Sequence, residues 1–218
     1  MPPVAHPLWP LFDLRLRTGN LELRLPTDDD LVALVAVARG GIHPPEEMPF
    51  GVAWTDAPSP EFERNFARFY WSHRANWQPR AWNLTFGVFV DGRAAGVQDI
   101  GARDFPVLRT VNTGSWLGFG FQGRGIGRQM RQAVLALAFD RLGAEVAMSG
   151  AFLENAASRK VSEAIGYEPN GLDRLAPRGE PREHQRYRLT LEGWRSRPRP
   201  KVEVEGLDSC LELFGLPT

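Results

Sequence analysis

"SWLGFGFQGRGIGRQMRQAVLALAF", Ser115 to Phe139, places five glycines within ten residues and then runs directly into helical spacing. A glycine-rich turn that opens a helix offers backbone N–H groups and the positive end of the helix dipole to a phosphate. Two spellings of such a turn overlap here. Gly118, Gly120 and Gly123 give G-x-G-x-x-G, the dinucleotide pattern; Gln122, Gly125 and Gly127 give Q-x-x-G-x-G, a turn that holds the pyrophosphate of coenzyme A. The helix behind is well specified, since Ile126, Met130, Ala133, Val134, Leu137 and Ala138 share one face.

Context separates the two. A dinucleotide turn follows a buried parallel strand and is answered by an acidic residue at the end of the next strand. The preceding "RTVNTGSWL" is half polar and expected to run antiparallel to its hairpin neighbour, and Glu145 begins the next strand instead of ending it. Gly118 and Gly120 lie before the helix, in a segment that still alternates. A Walker-type loop fails because no Gly-Lys-Ser/Thr follows. In the second spelling, Gly125 and Gly127 let the backbone turn tightly, so N–H groups from about Arg124 to Arg128 form an anion nest. Arg124 and Arg128 either add charge for phosphates or belong to a solvated helix face.

Composition bounds the rest. At 218 residues the chain suits one large domain, or one domain with a small appendage. Lys plus Arg and Asp plus Glu both count 26, which argues against a dedicated nucleic-acid or anionic-membrane binder. A single cysteine, Cys210, excludes an intramolecular disulfide and a four-thiolate zinc site; no metal is expected. No apolar run approaches the ~20 residues that span a bilayer. "MPPVAHPLWPLF" does not read as a signal peptide, so a cytoplasmic protein is expected.

Leu21, Leu23 and Leu25 alternate with charges as a half-buried strand does. Thr27 then caps a helix whose first turn holds Asp28 to Asp30. "GGIHPPEEMPFGVAWTDAPSP" is a long loop, and loops of this length are often functional. Ser59-Pro60-Glu61 starts a helix with Pro at its first position, and Phe62, Phe66, Phe69 and Tyr70 line one face. Asp91-Gly92 marks a hairpin, followed by a strand over roughly Arg109 to Phe119. "EVAMSGAF" is a strand, "NAASRKVSEAIGY" a helix closed by Gly166, and "NGLDRLA" and "EHQRYRLTL" two more strands. The order β-α-α-β-β-β-α-β-α-β-β is that of a mixed α/β sandwich, antiparallel strands first and βαβ after.

The opening stretch, followed by "EVAMSGAFLENAASRKVSEAIGY", resembles the two cofactor motifs of the GNAT superfamily of acyl-CoA N-acyltransferases. Within it, the chain is similar to the branch that acetylates ribosomal-protein N-termini, and "LRTGNLELRLPTDDDL" and "RYRLTLEGWR" share that likeness over roughly Leu14 to Arg195. The resemblance implies an α/β (α+β) fold: a central mixed, mostly antiparallel sheet, splayed at the cofactor cleft, with helices on both faces. It implies a GNAT domain over residues 1–197, its core about 14–195, and a C-terminal extension over 198–218. The tail "KVEVEGLDSCLELFG" is long for a finishing strand; it packs either across a partner copy, giving a homodimer or larger homo-oligomer, or on its own sheet.

The family's pantetheine arm pairs with a diverging strand end. By resemblance Leu117, Gly118 and Phe119 take that place, with Gly118 as the bulge residue. Gln122, Gly123, Arg124, Gly125, Ile126, Gly127 and Arg128 match the pyrophosphate loop. Asn155 matches the pantetheine-binding asparagine, and as a bare sequence feature it is also an N-cap. Ser158 matches a serine placed near the thiol, although a small residue there also serves close helix packing.

The implied chemistry is attack of a neutral amine on the thioester of acetyl-CoA or succinyl-CoA. It requires deprotonation of the amine, polarisation of the carbonyl and protonation of the thiolate. Many members place a Tyr seven residues after the asparagine as the acid; here that residue is Ser162, and Tyr167 holds the aromatic position after Gly166. Ser158, Ser162 and a bound water are the candidates for the acid. Asp99 is the candidate base, beside His43, Glu46 and Glu47 on the long loop. A succinyl carboxylate would call for an arginine, with Arg103, Arg109, Arg182 and Arg186 as candidates. The acceptor stays open among a protein N-terminus, a lysine, a polyamine and a small amine. A non-catalytic acyl-CoA-binding module is the rival reading.

Overall fold

The computed structural model describes residues 6–217. Met1 to Ala5, part of the stretch read above for a leader, and Thr218 lie outside the described residues.

A hairpin of β1 (Arg15–Thr18) and β2 (Leu21–Arg24) precedes α1 (Asp28–Arg39), whose Thr27 and Asp30 form a reciprocal capping box. The helix α2 (Glu61–Ala75) follows the long loop. The chain then forms β3 (Ala81–Val90), β4 (Arg93–Arg103), the single turn α3 (Phe105–Leu108) and β5 (Thr110–Leu117). After the glycine turn come α4 (Ile126–Ala136), β6 (Val146–Phe152) and α5 (Ala156–Ile165). β7 (Glu168–Leu175), β8 (Arg182–Thr190), the short α6 (Leu191–Arg195) and β9 (Glu203–Glu205) complete it. Among the described residues these nine strands make one sheet in the order β7-β8-β6-β5-β4-β3-β2-β1-β9. Only β5 and β6 run parallel.

Some local readings needed correction. Pro60 occupies the N-cap of α2 instead of its first helical position, and the hydroxyl of Ser59 donates to Glu63 Oε1 at 2.7 Å. Phe62, Phe66 and Tyr70 are buried, but Phe69 is 49% exposed and packs on His73. The tail pairs on its own chain, β9 lying antiparallel to β1 through Leu16↔Val204, while Phe214 packs against Trp77 and Trp82.

The parallel pair decides the shape of the site. β5 and β6 pair at three positions, Thr110↔Val146, Val111↔Ala147 and Asn112↔Met148, and the hydroxyl of Thr113 donates to Met148 O at 3.3 Å. Beyond that, β5 continues against β4 as far as Gly96↔Leu117, and β6 continues against β8 as far as Phe152↔His184. The sheet therefore opens between Thr113–Leu117 and Ser149–Phe152, leaving strand edges that face each other without a ladder.

Gly118 is not a bulge. The β4–β5 register is regular to its end, and Gly118 N–H donates to Ala95 O at 3.0 Å, one step further in the same register. The irregularity lies one strand away, where Val88 pairs Gly96 and Phe89 pairs Ala94, leaving Ala95 as the extra residue. Gly118 is needed because α1 approaches closely: a Cβ there would lie 2.5 Å from Val37 Cγ1. Gly118→Ala is expected to lower stability by about 1–3 kcal/mol through overpacking, and Val37→Ala in the same chain to recover part of it. Thermal unfolding of the single and double variants checks this; equal losses in both would contradict it.

Candidate functional site

The glycine turn sits at the mouth of that opening. Gly123 (φ 70°) and Gly125 (φ 78°) both take the left-handed conformation, with Arg124 between them outside it, and Gly125 is the N-cap of α4. Such alternation turns successive N–H groups toward one side, the geometry of an anion nest. Among the described residues the N–H groups of Gly123, Arg124, Gly125, Ile126 and Gly127 have no backbone or side-chain acceptor, whereas Arg128 N–H is spent on Gly125 O at 3.1 Å. A Cβ at Gly123 or Gly125 would meet nothing within 4 Å, so the nest faces open space. Gly127 differs from the sequence reading: it is helical, and a Cβ there would make only ordinary contacts with Val161 and Leu117. The residues thus fit a pyrophosphate at the positive end of α4.

The sequence-expected residues divide into those that face the nest and those that hold it. Gln122 holds it, its amide donating to Ile42 O and Leu117 O, each at 2.7 Å. Phe119 N–H donates to Gly41 O at 3.0 Å and its ring lies over Gly41. Leu117 and Ile126 are buried. Arg124 bonds Gly120 O at 3.2 Å, and Arg128 is exposed with no ion-pair partner among the described residues.

Asn155 caps α5, its Oδ1 accepting from Ser158 N–H at 3.0 Å, which leaves its amide hydrogens available to a ligand. Ser158 is half-buried one turn on. Ser162 is 1% exposed, and its hydroxyl has no partner. Tyr167, read above only as an aromatic, brings its hydroxyl to 3.4 Å from Thr113 Oγ1 at the vertex of the opening. Burial raises its pKa, against the charge of Arg131.

Asp99 is half-buried on β4, opposite Gly114 of β5 and Thr85 of β3. Burial pushes its pKa above the usual carboxylate range, while the Gly114 N–H it accepts and the charge of Arg131 pull it back. The loop candidates do not join it. Both ring nitrogens of His43 are engaged, with Pro44 O at 2.8 Å and Thr55 Oγ1 at 2.9 Å, and Glu46 and Glu47 are exposed. The loop is instead tied to the β7–β8 connection: Arg178 pairs with Asp56 at 2.7 Å, and Arg182 donates to Met48 O at 2.8 Å. Arg103 ends β4 and Arg109 precedes β5, both at the edge away from the opening; Arg186 pairs with Asp173.

His184 carried no motif and was missed. Its ring packs on Phe152 and overlies Gly150, where a Cβ would lie 2.1 Å from its Cε1. Its Nδ1 is buried without a partner, and burial lowers its pKa against the charge of Asp173.

The sequence matches the acetyltransferase (GNAT) domain over residues 20–168. The chain belongs to the GNAT acetyltransferase family. It is accordingly an acyl-CoA-dependent N-acyltransferase, moving an acyl group from coenzyme A to an amine. Solved structures share the fold. RimJ of Mycobacterium smegmatis, in complex with a coenzyme A disulfide, superposes with TM-score 0.68 at 20% identity, covering 93% of this chain and 95% of that one. RimL, a ribosomal-protein alpha-N-acetyltransferase solved with coenzyme A, gives 0.66 at 19% identity over 82% and 99%. A Brucella melitensis N-acetyltransferase gives 0.66 at 19% over 83% and 80%. The fold class expected from sequence is the one found, with its sheet splayed beside the glycine turn.

Three variants test this GNAT site by calorimetry with coenzyme A. Gly125→Asp is expected to abolish binding, because the new side chain fills the open turn and repels phosphate; unchanged affinity would contradict the nest. Asn155→Ala is expected to weaken binding and to cost about 1 kcal/mol of stability with the lost cap. Asn155→Asp keeps the cap and loses only the amide donor, so it should weaken binding with stability held. Wild-type affinity for coenzyme A in Asn155→Asp would show that the amide has no role beyond capping.

Proposed function

We propose that this enzyme transfers an acetyl group from acetyl-CoA to the α-amine of a protein N-terminus. The single observation that carries the donor half is the unpaired opening between β5 and β6, set beside five unspent N–H groups at the head of α4. The pyrophosphate lies on that nest, and the pantetheine arm runs along the free edge of β5 as an added strand, held by the Asn155 amide. Strand addition of this kind draws its affinity from main-chain hydrogen bonds. Arg182, the one succinyl candidate beside the end of β6, is already engaged with Glu154 and Met48 O and stacks over Phe152, which favours acetyl over succinyl.

Support for the acceptor comes from the far side of the sheet. Phe50, Trp54, Phe62, Phe66 and Trp116 pack together under the long loop, and the arginine ties hold that loop to β7 and β8 as one wall. Solved structures named for ribosomal-protein acetylation share this fold. The amine attacks the thioester carbonyl carbon, the carbon–sulfur bond breaks, and Asp99 receives the proton lost by the nitrogen. The departing thiolate takes a proton from solvent water, directly or through the Ser158 hydroxyl, which gains a proton as it gives one, and Asp99 then returns its proton to the solvent. A base with a raised pKa is better matched to an amine than an ordinary carboxylate. A cytoplasmic location and a homodimer accompany this reading as proposals.

With acetyl-CoA and succinyl-CoA as donors, thiol release is measured against N-terminal peptides, internal-lysine peptides and polyamines, and the acyl position is found by mass spectrometry. Acetylation confined to the α-amine is expected. Acylation of lysine or polyamine alone would overturn the acceptor, and preference for succinyl-CoA would overturn the donor. Asp99→Asn is expected to lower kcat about 100-fold and to remove the acidic limb of the pH profile, because the rate rises as Asp99 ionises. An acceptor of low basicity keeps the amine's own titration from masking that limb.

A further inference from the structure

Arg131 of α4 is only 3% exposed, yet no carboxylate among the described residues comes within ion-pair reach of it. A buried cation is costly unless its donors are met. Its partners are instructive. Nη1 donates to Ser149 Oγ at 2.9 Å, Nη2 to Ser115 Oγ at 3.0 Å, and Nε to Gln98 Oε1 at 3.4 Å. Ser115 lies on β5 and Ser149 on β6, both beyond the last paired residues Asn112 and Met148. The guanidinium thus crosses the gap at the point where the backbones no longer join.

The third bond leads to the other side of the site. The amide of Gln98, itself fully buried, donates to Asp99 O at 2.9 Å and Gly114 O at 2.8 Å, while Gly114 N–H donates to the Asp99 carboxylate. One chain of bonds therefore runs from the gap to the carboxylate.

We propose that Arg131 is a positioning residue for acyl transfer: its planar fork sets the separation of β5 and β6 through Ser115 and Ser149, and its charge and its bond to Gln98 hold the Asp99 carboxylate ready. The proposal rests on Asp99 as the base for its second half only. Lys could not serve, because a point charge lacks the two parallel donors that the serines require. The charged or titratable groups acting on Asp99 are Arg131 from α4 and Tyr70 from α2. From β3 comes the neutral Thr85, whose hydroxyl meets His73 of α2, an imidazole whose pKa burial lowers. Arg131 is thus the one cation in the group, and it works against the burial that raises Asp99.

Three variants separate the roles. In Arg131→Gln the acidic limb of kcat/KM is expected to move up by about one pH unit, as loss of a nearby opposite charge requires. In Arg131→Lys the limb stays near the wild-type position while the Kd for coenzyme A rises. In Ser115→Ala/Ser149→Ala, which keeps the whole charge, the limb again stays and the Kd rises at least several-fold. A folded Arg131→Gln with an unmoved limb overturns the charge role; if that variant does not fold, direct titration of the Asp99 carboxyl by NMR in Arg131→Lys and the wild type replaces it, and a limb or titration shifted in the Lys variant is the contrary result. Wild-type Kd in the double serine variant overturns the spanning role. Full activity in Asp99→Asn would remove the base assignment alone, since the serine result reads Arg131 without it.

Discussion

The molecule is organised around hydrogen bonds that one pair of strands does not make. β5 and β6 join at three residue pairs and then part, because each is committed to a different neighbour: β5 to β4 as far as Leu117, β6 to β8 as far as Phe152. Backbone N–H and C=O groups left inside a sheet demand partners. Here the ladder stops at Asn112↔Met148, the edges beyond it are the place proposed for an extended ligand, and a buried arginine bonded to a serine on each side spans the gap.

Other features serve to keep this opening aligned with the phosphate nest. Gln122 fastens the turn to the end of β5 and to the segment after α1, so the nest moves with the strand edge. Phe119 closes over Gly41 at the same junction. Capping by Asn155 sets the start of α5 on the opposite flank. On the acceptor side, a loop that would otherwise be free is pinned by Arg178 and Arg182. Donor and acceptor groups thus reach the gap from elements that are tied together, which preorganisation of a transfer reaction requires.

Much of this was legible in the sequence because it rests on local rules. Helix faces on α4 and α5, the Thr27 and Gly166 caps and the Asp91-Gly92 hairpin all follow from spacing and side-chain chemistry within a few residues. The glycine turn was legible as a tight turn opening a helix, but not which glycines shape it: Gly123 and Gly125 turn the chain, Gly118 makes room for Val37, and Gly127 is helical. The polar centre was not legible. Arg131 reads as one more charged residue on a helix, and only the gap between two distant strands gives it partners. His184 sits in an alternating strand like its neighbours, and its seat over Gly150 shows only in the paired sheet, where Phe152 of β6 is its register partner. The proposed general base shows the same limit: nothing local distinguishes Asp99, half-buried beneath α2, from the exposed Glu46 and Glu47.

The free edges of β5 and β6, together with the nest, are proposed to receive the acyl-CoA. Amide hydrogen exchange with and without acetyl-CoA tests it directly, since an added strand protects the edge it pairs with. Exchange is expected to slow over residues 113–127 and 149–158, with β1, β2 and β9 unchanged. Binding that leaves residues 113–127 exchanging as in the free protein, or that protects another part of the sheet instead, would contradict it.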